Sequence, residues 1–552
     1  MLCLIGCSDK GGQAPAHRAS KKTDAQTQST LNTKAVAGPT RRERDPRVFH
    51  RSLSEPDTLD PALILSTEGA TIAFDTFEGL YINAADHTTW QPGAALRHEI
   101  SKDGLVWTFH LRENGRWSDG TPVTARDFEY AWKRVLDPKT ASKTASWLAG
   151  FIKGGQAYNS STAKDDQTAL REAVGVKALD DVTLQVTLEA PQPLFHALTA
   201  YQAFSPVPRH VVEQHGDAWV KPAHIVSNGP WKTVEWKSKQ RITLEKNAHY
   251  WGAANLPFDT IVYHITQEAE PAHNLYLAGE IDFLQGKIPP SSLPKYIEEK
   301  RPDLKVSPYV GVYQFLFNTQ VPPLNDKRVR HALNMAINKA EVGKYVVKGN
   351  QPPATSIVHP ALEHMGYAPV AGAGFDPDKA RALLAEAGFP DGKGFPRLKL
   401  SYNTLERHKL VAQYLQEQWR KHLNINIELE NMEWKVLMSR QRQLDFHISL
   451  GGWVGNAFDP LAFLVLWEGD SSFNRVKWRN ADYDAHIAEA RQAHTLESRN
   501  AALRKAEQVW VDELPAMPVY FLNNYDLAQP WLDGYQAHIT GTHLSRYFKV
   551  KQ

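Results

Sequence analysis

The sequence predicts an α/β protein of several packing units, with helices laid on sheets. Three observations predict it. The chain has 552 residues, enough at about 150 per domain for three to four packing units or two large lobes. Apolar residues alternate with period two at several places, and apolar stripes of helical period lie between them. Trp107, Phe109 and Leu111 alternate with Thr108, His110 and Arg112, as in a half-buried strand. Thr124 then opens a helix: Asp127 stands at the capping-box position, Phe128, Ala131, Trp132 and Val135 form the apolar stripe, and Pro138 stops it. Val182, Leu184, Val186 and Leu188 alternate with Thr183, Gln185 and Thr187, a second strand. Val329, Ala332, Leu333, Ala336 and Ile337 return to helical spacing. Asp378 begins a further helix, with Ala380, Leu383, Leu384 and Ala387 on one face and Gly388 as its left-handed stop. Ile425, Ile427 and Leu429 restore period two, and no short internal repeat runs through the chain.

Composition narrows the function. Lys plus Arg number 63 and Asp plus Glu 61, a formal charge of +2, so nothing draws the chain toward phosphate backbones or anionic lipid. No run reaches the roughly 18 apolar residues of a spanning helix. Both cysteines, Cys3 and Cys7, lie in the first seven residues, which leaves the folded part without disulfides, thiol catalysis or cysteine-ligated zinc. Residues 8–45 carry Leu31 and Val36 as their only large aliphatics; such a segment buries too little apolar surface to order itself and reads as a disordered tether.

Catalytic motifs are missing from the chain. It contains no G-x-x-x-x-G-K-[ST], G-x-G-x-x-G, H-E-x-x-H or G-x-S-x-G. Lys153-Gly154-Gly155 and Gly392-Lys393-Gly394 read as turns. The 22 histidines are scattered, and His359, His364, His538 and His543 read as exposed or capping residues rather than metal ligands. Neither a metal nor a cofactor is expected. Sixteen Trp and nineteen Tyr suit a roomy cleft lined by rings with polar handles, and equally a large core.

Several short motifs then carry a resemblance. Leu59-Asp60-Pro61, Phe77-Glu78-Gly79-Leu80, Trp107 to Arg112, Trp117 to Phe128, Asn228-Gly229-Pro230, Ala278 to Asp282, Asn325 to Leu333, Lys379 to Gly388, Tyr402-Asn403-Thr404, Glu433-Trp434-Lys435 and Gly452-Trp453 occur in one order. In that order they resemble the oligopeptide- and dipeptide-binding proteins of ABC importers, bacterial solute-binding family 5, from about Arg47 to the C-terminus. The resemblance implies a two-lobed, hinged periplasmic-binding-protein fold, a large type II-like cleft protein with an extra domain. It implies lobe I from 46–78, 206–307 and 524–552, the extra domain from 79–205 packed on lobe I, and lobe II from 308–523. Leu4-Ile5-Gly6-Cys7-Ser8 resembles a lipoprotein lipobox, so residues 1–7 read as a partial signal and Cys7 as the lipidated residue.

The resemblance also implies a site. Extended peptide would lie between the lobes and make strand-like main-chain hydrogen bonds, which are indifferent to side chains. Glu68 falls in a loop where the family keeps an acidic residue near the bound backbone, and reads equally as a solvated carboxylate. Trp434 and Trp453 match pocket aromatics, or are core rings. Gly452, Trp453, Val454 and Gly455 match the strand edge that pairs with peptide. His408 matches a histidine beside the peptide carboxylate, and Asn403 and Tyr520 lie in matching segments. Two positions depart from the pattern. Asn456 stands where the family has the aspartate that meets the peptide ammonium, leaving that role to nearby Asp459 or to a ligand without a free amine. Leu450 replaces an arginine, for which Arg440 or Arg442 could substitute.

The leading expectation is a non-enzymatic, monomeric extracytoplasmic receptor. It captures oligopeptides and delivers them to an ABC permease and ATPase, and touches the membrane of periplasm or cell envelope only through its lipid. The alternatives are a binder of modified peptide or cell-wall fragment, and a chaperone-like lipoprotein that no longer serves transport.

Overall fold

The computed structural model describes residues 45–86, 89–455 and 459–551. Its centre is a ten-stranded sheet in the order Ile427–Met432, Leu398–Asn403, Ile448–Val454, Leu304–Phe317, Ala516–Ala528, Phe283–Leu284, Val48–Leu53, Thr260–Ile265, Arg241–Lys246 and Trp231–Lys237. The two long strands in the middle run antiparallel and reach from one half to the other. Leu304 pairs with Leu527 where Phe283–Leu284 joins, and Leu316 pairs with Ala516 where Ile448–Val454 joins. Register shifts between Tyr309 and Val312 and between Tyr313 and Gln314 interrupt that pairing, and such bulges bend and twist a strand locally. Two lobes joined by crossing strands follow.

Alternation along Leu304–Phe317 divides the second lobe's core into two layers. Val310, Val312 and Leu316 enter one buried cluster with Trp467, Tyr483 and Trp510. Tyr313, Phe315 and Phe317 enter another with Leu333, Leu400, Trp419 and Ile448. Period two places successive side chains on opposite faces, so this strand is sandwiched between helical layers. A third cluster gathers Phe49, Ile72, Trp107, Phe128, Trp132, Trp231 and Tyr263. It joins the first lobe to the small four-stranded sheet that contains Val106–Leu111 and Thr183–Thr187.

The elements expected from the pattern are present. The helix Ala125–Leu136 opens with the Asp127 carboxylate accepting the Thr124 N–H at 2.8 Å. The helix expected from Asp378 runs Pro377–Glu386, and its cap is Asp376, whose carboxylate accepts the Lys379 N–H at 3.0 Å. Gly388 has φ of +97°, the left-handed stop.

Motifs that are remote in sequence dock on one another. Asn228 accepts the Glu78 N–H at 3.0 Å and donates to the Glu78 carbonyl at 2.8 Å. A Cβ at Gly229 would lie 2.5 Å from the Thr76 carbonyl carbon, so only glycine fits there. Asp60 is held bidentately by Arg134 at 3.0 and 2.6 Å and by Trp219 Nε1 at 3.1 Å. Arg330, 2% exposed, donates to the Glu513 and Leu514 carbonyls that end the helix Leu496–Glu513. Of the exposed and capping roles expected of these histidines, exposure fails for His359, His538 and His543, which are buried, while His359 caps the helical turn Pro360–Met365. His359 and His538 accept backbone N–H groups of Ala361 and Thr540, while His543 sits against Asp526 at 3.1 Å.

Candidate functional site

The strand Ile448–Val454 pairs with Leu304–Phe317 along its whole length, from Ile448 opposite Phe317 to Val454 opposite Gly311. On its other side Leu398–Asn403 accompanies it only at Ile448 and Ser449. From Leu450 onward that edge carries no strand among the described residues. Gly455 N–H donates to the Val310 carbonyl at 2.7 Å, and antiparallel alternation turns every second residue away from the partner. The main-chain groups of Leu450, Gly452 and Val454 therefore face the free edge. The Leu450 carbonyl there accepts from Gln441 Nε2 at 2.8 Å, and Gly452 and Val454 stay open to an incoming strand. A Cβ at Gly452 would meet only the Val312 carbonyl oxygen at 3.5 Å, so the approach above it is clear.

Polar aromatic side chains stand on one face of this edge. Tyr313, opposite Gly452, stacks on Tyr520 with ring centroids 4.6 Å apart and 8° between planes. Both hydroxyls are buried and lack a hydrogen-bond partner among the described residues. His408 lies 5.6 Å from the Tyr313 ring and its Nδ1–H donates to Asn403 Oδ1 at 3.0 Å. Burial, assisted by the charge of Arg407, pushes the His408 imidazole down to about 4, so it is neutral near pH 7. The opposite face holds Trp453, whose ring meets Phe473 edge to face at 5.5 Å.

The structure thus brings Asn403, His408, Tyr520, Gly452, Trp453 and Val454 around one strand edge, with Gly455 closing the strand against Phe463, 3.0 Å from where its Cβ would be. Other candidates fall elsewhere. Glu68 lies in the first turn of the helix Thr67–Thr76 rather than in a loop. It acts on Lys287 of the same lobe, whose amine burial pushes down to about 8 against the pull of Glu68. Trp434 is half-buried at the start of the helix Trp434–Arg442. The Arg440 guanidinium pairs with Glu430 and with Asp445, each at 2.8 Å. Asp459 is bound at 2.6 and 2.9 Å by Arg499, a buried arginine, so its carboxylate is already engaged. Asn456 and Cys7 lie outside the described residues. Sequence reasoning missed Tyr313 and Phe473: Tyr313 lies on a strand stretch buried at every residue, which shows no alternation, and Phe473 reaches the site through a loop.

Comparison with known proteins agrees with this geometry. Residues 89–475 match the profile of the bacterial extracellular solute-binding proteins, family 5. The periplasmic oligopeptide-binding protein OppA of Salmonella typhimurium is 36% identical over 87% of this chain and 88% of its own. YgiS of Escherichia coli, a probable deoxycholate-binding periplasmic protein, is 35% identical over 88% of this chain and 90% of its own. The unliganded open form of MppA, a periplasmic murein tripeptide binding protein, superposes with a TM-score of 0.82 at 32% identity, over 93% of this chain and 99% of the other. With a free strand edge on a two-lobed α/β fold and the family profile spanning residues 89–475, the chain belongs to the bacterial extracellular solute-binding proteins of family 5.

Proposed function

We propose that this protein captures oligopeptides between its lobes and delivers them to the permease and ATPase of an ABC importer. The observation that carries the reading is the free edge at Gly452 and Val454, whose main-chain groups can add an extended peptide as a further strand. Backbone pairing reads no side chains, and the aromatic faces beside the edge accept varied residues. The named relatives bind peptides in several cases. In this reading the protein is a monomer of the periplasm or cell envelope, anchored through lipid on Cys7 behind the 8–45 segment, with lobes and extra domain divided as the sequence suggests.

The test is calorimetric titration of trialanine into wild type and Gly452→Pro. Proline removes one N–H from the free edge and none from the pairing with Leu304–Phe317, a position at which strands tolerate it. Binding should weaken tenfold or more with the circular dichroism unchanged. Equal binding would remove the edge from the site.

A second reading is favoured by Asn456 and Leu450, which lack the charges that meet the ends of a free peptide. Here the solute is a blocked or modified peptide, a cell-wall fragment or another amphiphile, and relatives named for murein peptide and for deoxycholate bear the same fold. Asn456→Asp separates the two. It should tighten trialanine about tenfold if an ammonium sits there, and should weaken N-acetyltrialanine if the amino end is blocked.

A further inference from the structure

We infer that Arg475 is the anion anchor of the cleft and receives the carboxylate of the bound solute. The inference rests on solute binding at the free edge and adds the residue that selects an acidic group.

Arg475 is partly buried and has no carboxylate within ion-pair distance among the described residues. Its Nη1 donates to Gln441 Oε1 at 2.8 Å and touches Met438 Sδ at 3.2 Å, an amide and a thioether that carry no charge. Burial and the neighbouring Arg442 both work against the charged form. A guanidinium in such surroundings is costly until an anion joins it.

Its position ties it to the edge. Gln441 is fully buried; one end of its amide takes Arg475, and the other donates to the Leu450 carbonyl at 2.8 Å and to Ser449 Oγ at 2.8 Å. Arg475 is therefore hydrogen-bonded to the side chain that caps the free edge two residues before Gly452. On the same side Trp453 packs against Phe473, two residues from Arg475, and its Nε1–H is buried without an acceptor among the described residues. A cation without a counter-charge and a donor without an acceptor, among the described residues, are thus tied to one open strand edge, the first through Gln441 and the second on Trp453 of the strand itself, and a carboxylate is the group that either would bind. Leu450 itself brings no charge, and Arg440 is spent on Glu430 and Asp445.

The test uses protein stripped of bound solute by unfolding and refolding, titrated with trialanine and with trialanine C-terminal amide. Wild type should prefer the free acid at least tenfold. Arg475→Gln should reduce that preference to within twofold while leaving affinity for the amide unchanged, and Arg442→Gln should retain it. A preference that survives in Arg475→Gln overturns the inference. A melting experiment on Arg475→Met without ligand reads the anchor independently of any peptide. Removing an uncompensated cation should leave Tm unchanged or raise it, and a fall beyond about 5 °C would mark Arg475 as a packing residue and overturn its role. Should neither peptide bind wild type, the peptide reading fails, and acetate then tests the anchor alone: it should raise the Tm of wild type and not that of Arg475→Met, and equal responses would overturn the inference.

Discussion

Glu78 shows what the short motifs do. Its carboxylate, 1% exposed, accepts from Tyr250 OH at 2.5 Å, Trp251 Nε1 at 2.7 Å and Arg546 Nη1 at 3.1 Å. Those partners lie 172 to 468 residues away, so the motif is visible in the sequence and its role is not. Glu78→Leu leaves the buried Arg546 guanidinium without its carboxylate and should cost about 3–5 kcal/mol in urea unfolding; a loss below about 1 kcal/mol would show that the network is replaceable. A second residue-scale effect concerns pH. Burial first of all, with a neighbouring positive charge beside His408, pushes His196, His359 and His408 down to about 4 from 6.5. Between these values the unfolded chain binds more protons than the folded one, so stability falls as pH drops from 6.5 toward 4. The urea midpoint should decline from pH 6.5 to 5.5, above the range in which ordinary carboxylates titrate, and less steeply in His359→Gln. A flat midpoint across that range would contradict the burial of these rings. Arg440 illustrates the limit of the sequence from the other side: nothing in its neighbourhood announces that Glu430 and Asp445 fold onto it.

Among the elements, legibility followed exposure to water. Val106–Leu111 and Thr183–Thr187 each alternate between buried and half-buried residues, and that contrast is what a periodic reading detects. Leu304–Phe317 is buried at every residue from Val310 onward. Its alternation divides two apolar layers rather than core from solvent, so the strand that crosses between the lobes left no period in the sequence. The helix Pro377–Glu386 begins one residue before the expected Asp378, and its cap Asp376 lies two before it. Asp376 followed by Pro377 is the N-cap and first-turn proline signature, and Asp378 drew attention as the next carboxylate. Asp376→Ala should therefore cost about 1 kcal/mol. Asp378→Ala, which removes only a first-turn charge, should cost about 0.3–0.5 kcal/mol. Equal losses in chemical denaturation would return the cap to Asp378. The free edge at Gly452 and Val454 is legible only through resemblance, because an unpaired edge is a property of what the neighbouring strand fails to cover.

At the scale of the molecule two lobes meet at a pair of crossing strands. Two strands link the halves of the sheet, and their pairing is interrupted beside Tyr313, the residue that faces the free edge through Gly452. A rigid-body swing about a few residues is the usual motion of such lobes, and the fold superposes on an unliganded open relative. The stacked hydroxyls of Tyr313 and Tyr520, buried without partners, leave polar capacity beside the hinge that closure could satisfy. Closure must then be driven by differential affinity: a solute shifts the lobes only by as much as it binds the closed form better than the open one. Two observables follow. Saturating trialanine should reduce the radius of gyration in solution scattering, and the melting temperature should climb with ligand concentration, corresponding to about 2.7 kcal/mol at one hundred times Kd. Gly452→Pro should blunt both responses together, because it weakens the strand pairing that draws the second lobe onto the solute. Scattering curves that superimpose with and without ligand, alongside a rising melting temperature, would mean that the solute binds a static open cleft and that the crossing strands act as a fixed frame.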